Sequence, residues 1–175
     1  MSVAPRMIAR VALFSALIYV LSWSTSYLPN INLIFFIVFT AGFVWGAVAG
    51  ALVGAIGMAL WTTLNPYGPA GLPVMVAQVV GAAASGPVGF IAAKADWRAM
   101  SNLRLLPWLV LAAIICTLAY YLPVNVVDAW IYQPFWPRFV VSMLWTLVSL
   151  GFNLLIFPLL FGVTRFLYLR EHARL

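Results

Sequence analysis

Charge is scarce in this chain. Only 7% of its 175 residues are charged, three are acidic, and there is one histidine and one cysteine. Soluble domains carry about a quarter charged residues, so a soluble fold is excluded at the outset. The single Cys116 cannot form an intramolecular disulfide, and within an apolar run it is a small hydrophobe. His172 stands beside Glu171 in a charged tail and reads as a solvated residue rather than a ligand or base. The predicted helices contain no Asp, Glu, Lys or His, which removes the groups that proton relays and bond-breaking chemistry need. Ser15, Ser22, Thr40, Ser85, Ser142 and Ser149 fall within spans, but without a basic partner they are helix-packing hydroxyls, and no catalytic residue is expected. No metal-ligating cluster can be assembled, no cofactor is implied, and no G-x-x-x-x-G-K-[ST] element is present to cradle phosphates. Any energy from nucleotide must therefore come from another chain. Sodium coupling through backbone carbonyls stays open, with helix breaks suspected at Pro87 or Pro158.

What the chain does have is hydrocarbon: 66% hydrophobic residues and a mean hydropathy of +1.09. An all-α integral membrane protein follows, with residues 1–175 forming a single domain. The run over residues 31–64 carries no charge, and as one helix it would reach ~50 Å, beyond a ~30 Å hydrocarbon core. It is expected to fold back near residues 46–50, where Gly42, Gly46, Gly50 and Gly54 recur four apart. Glycine serves both a tight turn and close helix contact, and intramolecular packing is preferred here over a dimer face. With the fold-back, six transmembrane helices result, over about residues 7–28, 31–46, 49–64, 73–93, 105–122 and 138–166. Eight of the nine Lys and Arg then fall on one face, as Arg6 and Arg10, Lys94, Arg98 and Arg104, and Arg165, Arg170 and Arg174. The positive-inside rule makes that face, and both termini, cytoplasmic. The net charge of +6 is explained by topology, not by nucleic acid. The first apolar stretch resembles a signal peptide but is too long, with a poor cleavage site, and is expected to remain as the first helix.

The outer loops are then about residues 27–32, 65–72 and 123–137. They and the adjoining helix ends carry Trp23, Tyr27, Trp61, Tyr67, Tyr120, Tyr121, Trp130, Tyr132, Phe135 and Trp136. Any one of these rings suits the aromatic belt of a membrane interface. Asn30, Asn32, Asn65, Asn125, Asp128 and Gln133 share the same loops, however, and Gln78 lies one turn into the fourth span. Aromatic walls with a few amides are what a pocket for a small polar-aromatic ligand requires. In "NPYGPAGLP" the prolines limit the conformations of a short loop, Asn65 suits a turn, and Gly68 and Gly71 allow hinging. Two roles are open for that loop, a cover over a ligand with Tyr67 as its ring, or a plain chain reversal.

Three stretches, in order, resemble the substrate-capture S-components of energy-coupling factor (ECF) transporters, over nearly the whole chain. "ARVALFSALIYVL" contains Ala12-x-x-x-Ala16, similar to the face that S-components press against their transmembrane coupling subunit. "FIVFTAGFVWGAVAGALVGAIGMALW" resembles the family's Gly-rich second and third helices. The proline-rich loop followed by "VMVAQVVGAAASGPVGFIAAK" is similar to its third outer loop and fourth helix. The resemblance implies a vitamin or micronutrient uptake subunit in a bacterial or archaeal cytoplasmic membrane. It would capture a small organic ligand from outside and deliver it inward with energy from two partner ATPases, acting through the coupling subunit. A substrate site near the outer face, gated by the first, third and fifth loops, would involve Trp23, Tyr27, Asn32, Asn65, Tyr67, Gly68, Gln78, Asn125, Asp128, Trp130, Tyr132 and Arg138. Family members serve flavins, thiamin, biotin, folate and other cargoes, and no substrate-specific signature is placed here. Metal cargo is disfavoured, because the N-terminal His-rich ligand set is missing.

Several roles stay open at this level. Ala12 and Ala16 suit a partner face or packing inside the bundle. Asp128 and Arg138 suit a charged ligand or one another. Asn153 suits a deeply bound ligand or a bond to a neighbouring helix. The alternative functions are a membrane scaffold of the rod-shape, cell-wall morphogenesis type, and a solo facilitator or sodium-coupled carrier.

Overall fold

A computed structural model describes residues 5–28, 30–31 and 33–173; Asn32 and Arg174 lie outside the described residues. The elements are α1 (Pro5–Ser24), α2 (Ile34–Trp45), α3 (Ala47–Leu64), α4 (Leu72–Ala83), α5 (Ser85–Ala93), α6 (Asn102–Ile131) and α7 (Phe135–His172), with no strand among the described residues. Five stretches are long and apolar enough to cross a membrane: α1, α3, α4 with α5, α6 and α7. The exception is α2, whose 12 residues span only about 18 Å.

Helix α2 is the axis of the bundle. Its sequence, IFFIVFTAGFVW, is apolar all round, and every residue from Ile34 to Val44 is buried, as a helix without a polar face requires. Phe36 and Phe39 meet Phe157 of α7, and Phe43 meets Phe161. Lipid tails are as apolar as these rings, so in a bilayer close packing, rather than escape from water, holds such contacts together.

The fold-back occurs at Gly46, whose φ of 97° is the left-handed region that side chains other than glycine's resist. Its N–H still bonds Gly42 O at 3.0 Å, so the turn closes α2 and α3 into a tight hairpin. The neighbouring glycines let a third helix enter. A Cβ on Gly50 would stand 2.6 Å from Gly42 Cα and 2.8 Å from Gly86 Cα of α5. The glycine spacing therefore works inside this chain. Pro87 explains why α4 and α5 are separate: it offers no N–H to Ala83 O, and its ring crowds that carbonyl. The break is slight, since Ala84 keeps helical angles of −60° and −24°.

One expected loop is mostly helix. The stretch 123–137 does not leave the bundle at Pro123: α6 continues to Ile131, and only residues 132–134 separate it from α7. Val124, Asn125 and Ala129 are buried, a helical spacing that ties the extension to the bundle despite the proline. Asp128 consequently sits on a helix, as Glu171 does, which corrects the expectation of helices free of acids. The turn is held by Gln133, whose amide donates to Trp130 O at 3.1 Å and accepts the Phe135 N–H at 2.8 Å.

The basic clusters meet at one end. Arg10 of α1 pairs with Glu171 of α7 and lies 5.6 Å from the Trp45 ring centre. Arg98 and Arg165 stand 5.3 and 5.8 Å from the ring of Trp97, a buried residue that pins the α5–α6 loop beneath Phe43 and Tyr168.

Candidate functional site

At the opposite end the helices part around a cavity of about 660 Å³, within the ~300–1,000 Å³ typical of small-molecule sites. The end of α1 and the following turn contribute Ser22, Thr25, Ser26 and Tyr27; the start of α2 contributes Phe35; α3, α4 and α6 bring Trp61, Gln78, Tyr120 and Tyr121. None of the described residues lining it carries a formal charge.

Each wall has a packing cause. Phe35, Tyr120 and Tyr121 form an aromatic corner, with Phe35 and Tyr120 centroids 5.0 Å apart and the two tyrosines 4.9 Å apart and nearly perpendicular, a favoured edge-to-face geometry. Tyr120 is brought in because α4 approaches α6 at a glycine: a Cβ on Gly81 would lie 2.8 Å from Tyr120 Cα. Gln78 accepts a hydrogen bond from the Thr62 hydroxyl at 2.5 Å, which fixes its carboxamide between α3 and α4. Tyr121 donates to Asn30 Oδ1 at 3.1 Å, and Asn30 holds a φ of 57°, a conformation asparagine tolerates better than most residues. The Ser22 hydroxyl is buried with no hydrogen-bond partner among the described residues, so a polar group that lines the cavity is left for whatever enters it.

The proline-rich loop reaches the cavity through Tyr67. Asn65 is its organiser, since its side-chain oxygen accepts the Tyr67 N–H at 2.9 Å while its amide donates to Trp61 O at 3.1 Å and Gly68 O at 3.0 Å. This Asx-type turn sends the Tyr67 hydroxyl across to Ser26 O, which it donates to at 2.7 Å. That hydrogen bond joins the α3–α4 loop to the α1–α2 segment at the cavity wall, since both residues line it.

Of the sequence-predicted site residues, Tyr27, Tyr67 and Gln78 line this cavity. Asn65 and Gly68 shape the loop above it, Gly68 with a φ of 91°. Trp23 and Trp130 are exposed on α1 and α6. Asn125 is buried away from the cavity, donating to Thr146 of α7 at 2.8 Å. Asp128 and Arg138 choose each other, in a two-pronged pair at 2.5 and 3.2 Å, with the guanidinium over the Tyr132 ring at 4.8 Å. Tyr132 in turn abuts the loop at Gly71. Asn153 donates to Thr117 at 3.1 Å between α6 and α7, which is the interhelical role. Ala12 and Ala16 face outward from α1 while Val11, Ser15, Ile18 and Ser22 are buried, so they do not pack the interior. Ser22, Thr25, Ser26 and Phe35 also line the cavity and are not among the residues expected at the site from the sequence. Small hydroxyls at the end of a span and a phenylalanine in an apolar run carry no distinguishing local pattern.

A multi-pass helical membrane protein with a neutral, aromatic-walled chamber at one end is a ligand-binding membrane subunit in form. The comparison with protein families makes the class specific: the family model for the ECF-type riboflavin transporter S component matches residues 2–165. The chain belongs to that family, one of transporter subunits and not of enzymes. No curated protein and no solved structure matches it.

Proposed function

We propose that this chain is the substrate-binding subunit of an ECF-type uptake transporter and that its ligand is riboflavin, held in the 660 Å³ cavity. The neutrality of the described residues that line it, which pair aromatic rings with amides and hydroxyls, carries the reading. Riboflavin is uncharged, and it joins a flat tricyclic ring to a pyrimidine-like edge of carbonyls and an N–H, with a polyol chain beyond. Phe35, Trp61, Tyr120 and Tyr121 supply ring faces; Gln78 and Asn30 supply amides for the edge; Ser22, Thr25 and Ser26 supply hydroxyls suited to the polyol. A phosphorylated flavin would find no cation there to meet its charge.

In this reading α2 and the α4–α5 pair each make one crossing, giving six, with the basic end and both termini cytoplasmic. The cavity then opens outward from a bacterial or archaeal cytoplasmic membrane. Tyr67 and Ser26 close it when ligand is in, the outward-facing Ala12 and Ala16 present a flat track to the coupling subunit, and two ATPases drive release.

Titration of riboflavin fluorescence with protein in mild detergent tests this. Quenching that saturates at one flavin per chain with submicromolar affinity, unaffected by thiamin or biotin, is expected. No quenching, or equal competition by those vitamins, rejects the assignment.

A further inference from the structure

A second recess lies between α6 and α7 at the basic end, with a volume of about 480 Å³. Its floor is the buried Leu105, Leu109 and Phe161, its sides are Leu106 and Pro158, and among the described residues its one charged lining residue is Arg165. The two helices form a hairpin, so Arg165 lies at the level where α6 begins, and Leu109 and Pro158 lie deeper. From Arg165 to Pro158 is seven residues, about 10 Å along the axis. The groove is therefore polar at its outer end and hydrocarbon along the rest of its length.

The arginines at that end stand outside the ion pairs found among the described residues. Arg165 and Arg98 flank the same Trp97 ring at 5.8 and 5.3 Å, and the ion pairs among the described residues engage Arg10 and Arg138 instead. The first turn of α6 adds to this, because Ser101 gives it no side-chain cap and its amide end carries positive potential. Gly162 keeps the side of the groove open: a Cβ there would meet nothing within 4 Å.

We propose that this groove binds one anionic phospholipid, with an acyl chain along Leu106, Leu109 and Pro158 and its phosphate at the Arg165 guanidinium. Guanidinium forks suit phosphate oxygens, and an apolar trench leading away from Arg165 matches an amphiphile rather than a small soluble anion. The proposal stands whatever ligand the cavity at the other end takes.

Native mass spectrometry of the full chain, released from detergent containing equal phosphatidylglycerol and phosphatidylcholine, provides the test. The wild type should retain one phosphatidylglycerol in about fivefold preference, the scale of one arginine near a membrane surface. Arg165→Ala should abolish that preference by removing charge. Gly162→Phe should abolish it by filling the groove, and the open space at Gly162 lets this variant fold with an unchanged melting temperature. No preference in the wild type, preference surviving in either folded variant, or displacement of the lipid by excess inorganic phosphate would each overturn the proposal.

Discussion

At the cavity end, neutral amides, hydroxyls and rings are shared between elements: Thr62 holds Gln78, Tyr121 holds Asn30, and Tyr67 reaches Ser26. Twelve residues deeper along α3, at Gly50, three backbones close on one another with no side chain between them. The first region keeps space open with large side chains braced by single hydrogen bonds. The second eliminates space by omitting side chains. A protein that must hold its shape in lipid while keeping a cavity open at one end needs both, because overpacking a glycine contact costs the fold whereas removing one brace alters only the cavity.

The largest expected effect comes from the closed region. Gly86→Leu would drive a side chain into the backbone at Gly50 and Ala51, and a loss of about 3 kcal/mol or more is expected, seen as little monodisperse protein in gel filtration. Next come the cavity walls. Tyr120→Ala and Gln78→Leu should each weaken riboflavin binding at least about tenfold, corresponding to ~1.4 kcal/mol, with the folded yield maintained for Gln78→Leu. Tyr67→Phe keeps the ring and loses only the bond to Ser26 O. Net hydrogen-bond contributions near 1 kcal/mol place its effect at about a fivefold faster flavin dissociation in stopped-flow fluorescence, with association little changed. The smallest effect belongs to the ion pair: Asp128→Asn should shift stability by under about 1 kcal/mol, as exposed pairs do, and leave the riboflavin titration unaltered. Tenfold weaker binding in Asp128→Asn would erase the distinction between the cavity and the α6–α7 turn.

Much of the architecture was legible because membrane physics is strict. The uncharged run too long for one span had to fold, and Gly46 is where it does. Arg10, Arg98 and Arg165, one from each basic cluster, gather at one end of the bundle. What misled was Pro123. In a soluble chain a proline beside Asn and Asp signals a loop, but here buried neighbours carry α6 on to Ile131. That one boundary displaced Asn125, Asp128 and Trp130 from an imagined loop over the ligand onto a helix flank. The cavity itself was half legible. Tyr67 and Gln78 stood out as polar or aromatic groups at span ends, whereas Phe35 becomes a wall only because α2 is threaded beside Tyr120, a long-range pairing that no local pattern encodes.

The most direct trial of the central claim, that the neutral cavity is the flavin site, is a native mass spectrum of protein extracted from riboflavin-fed cells. The account predicts one noncovalent riboflavin per wild-type chain, retained in Asp128→Asn and lost in Gln78→Leu. Wild-type chains free of flavin, or a Gln78→Leu protein that keeps it, would contradict the account.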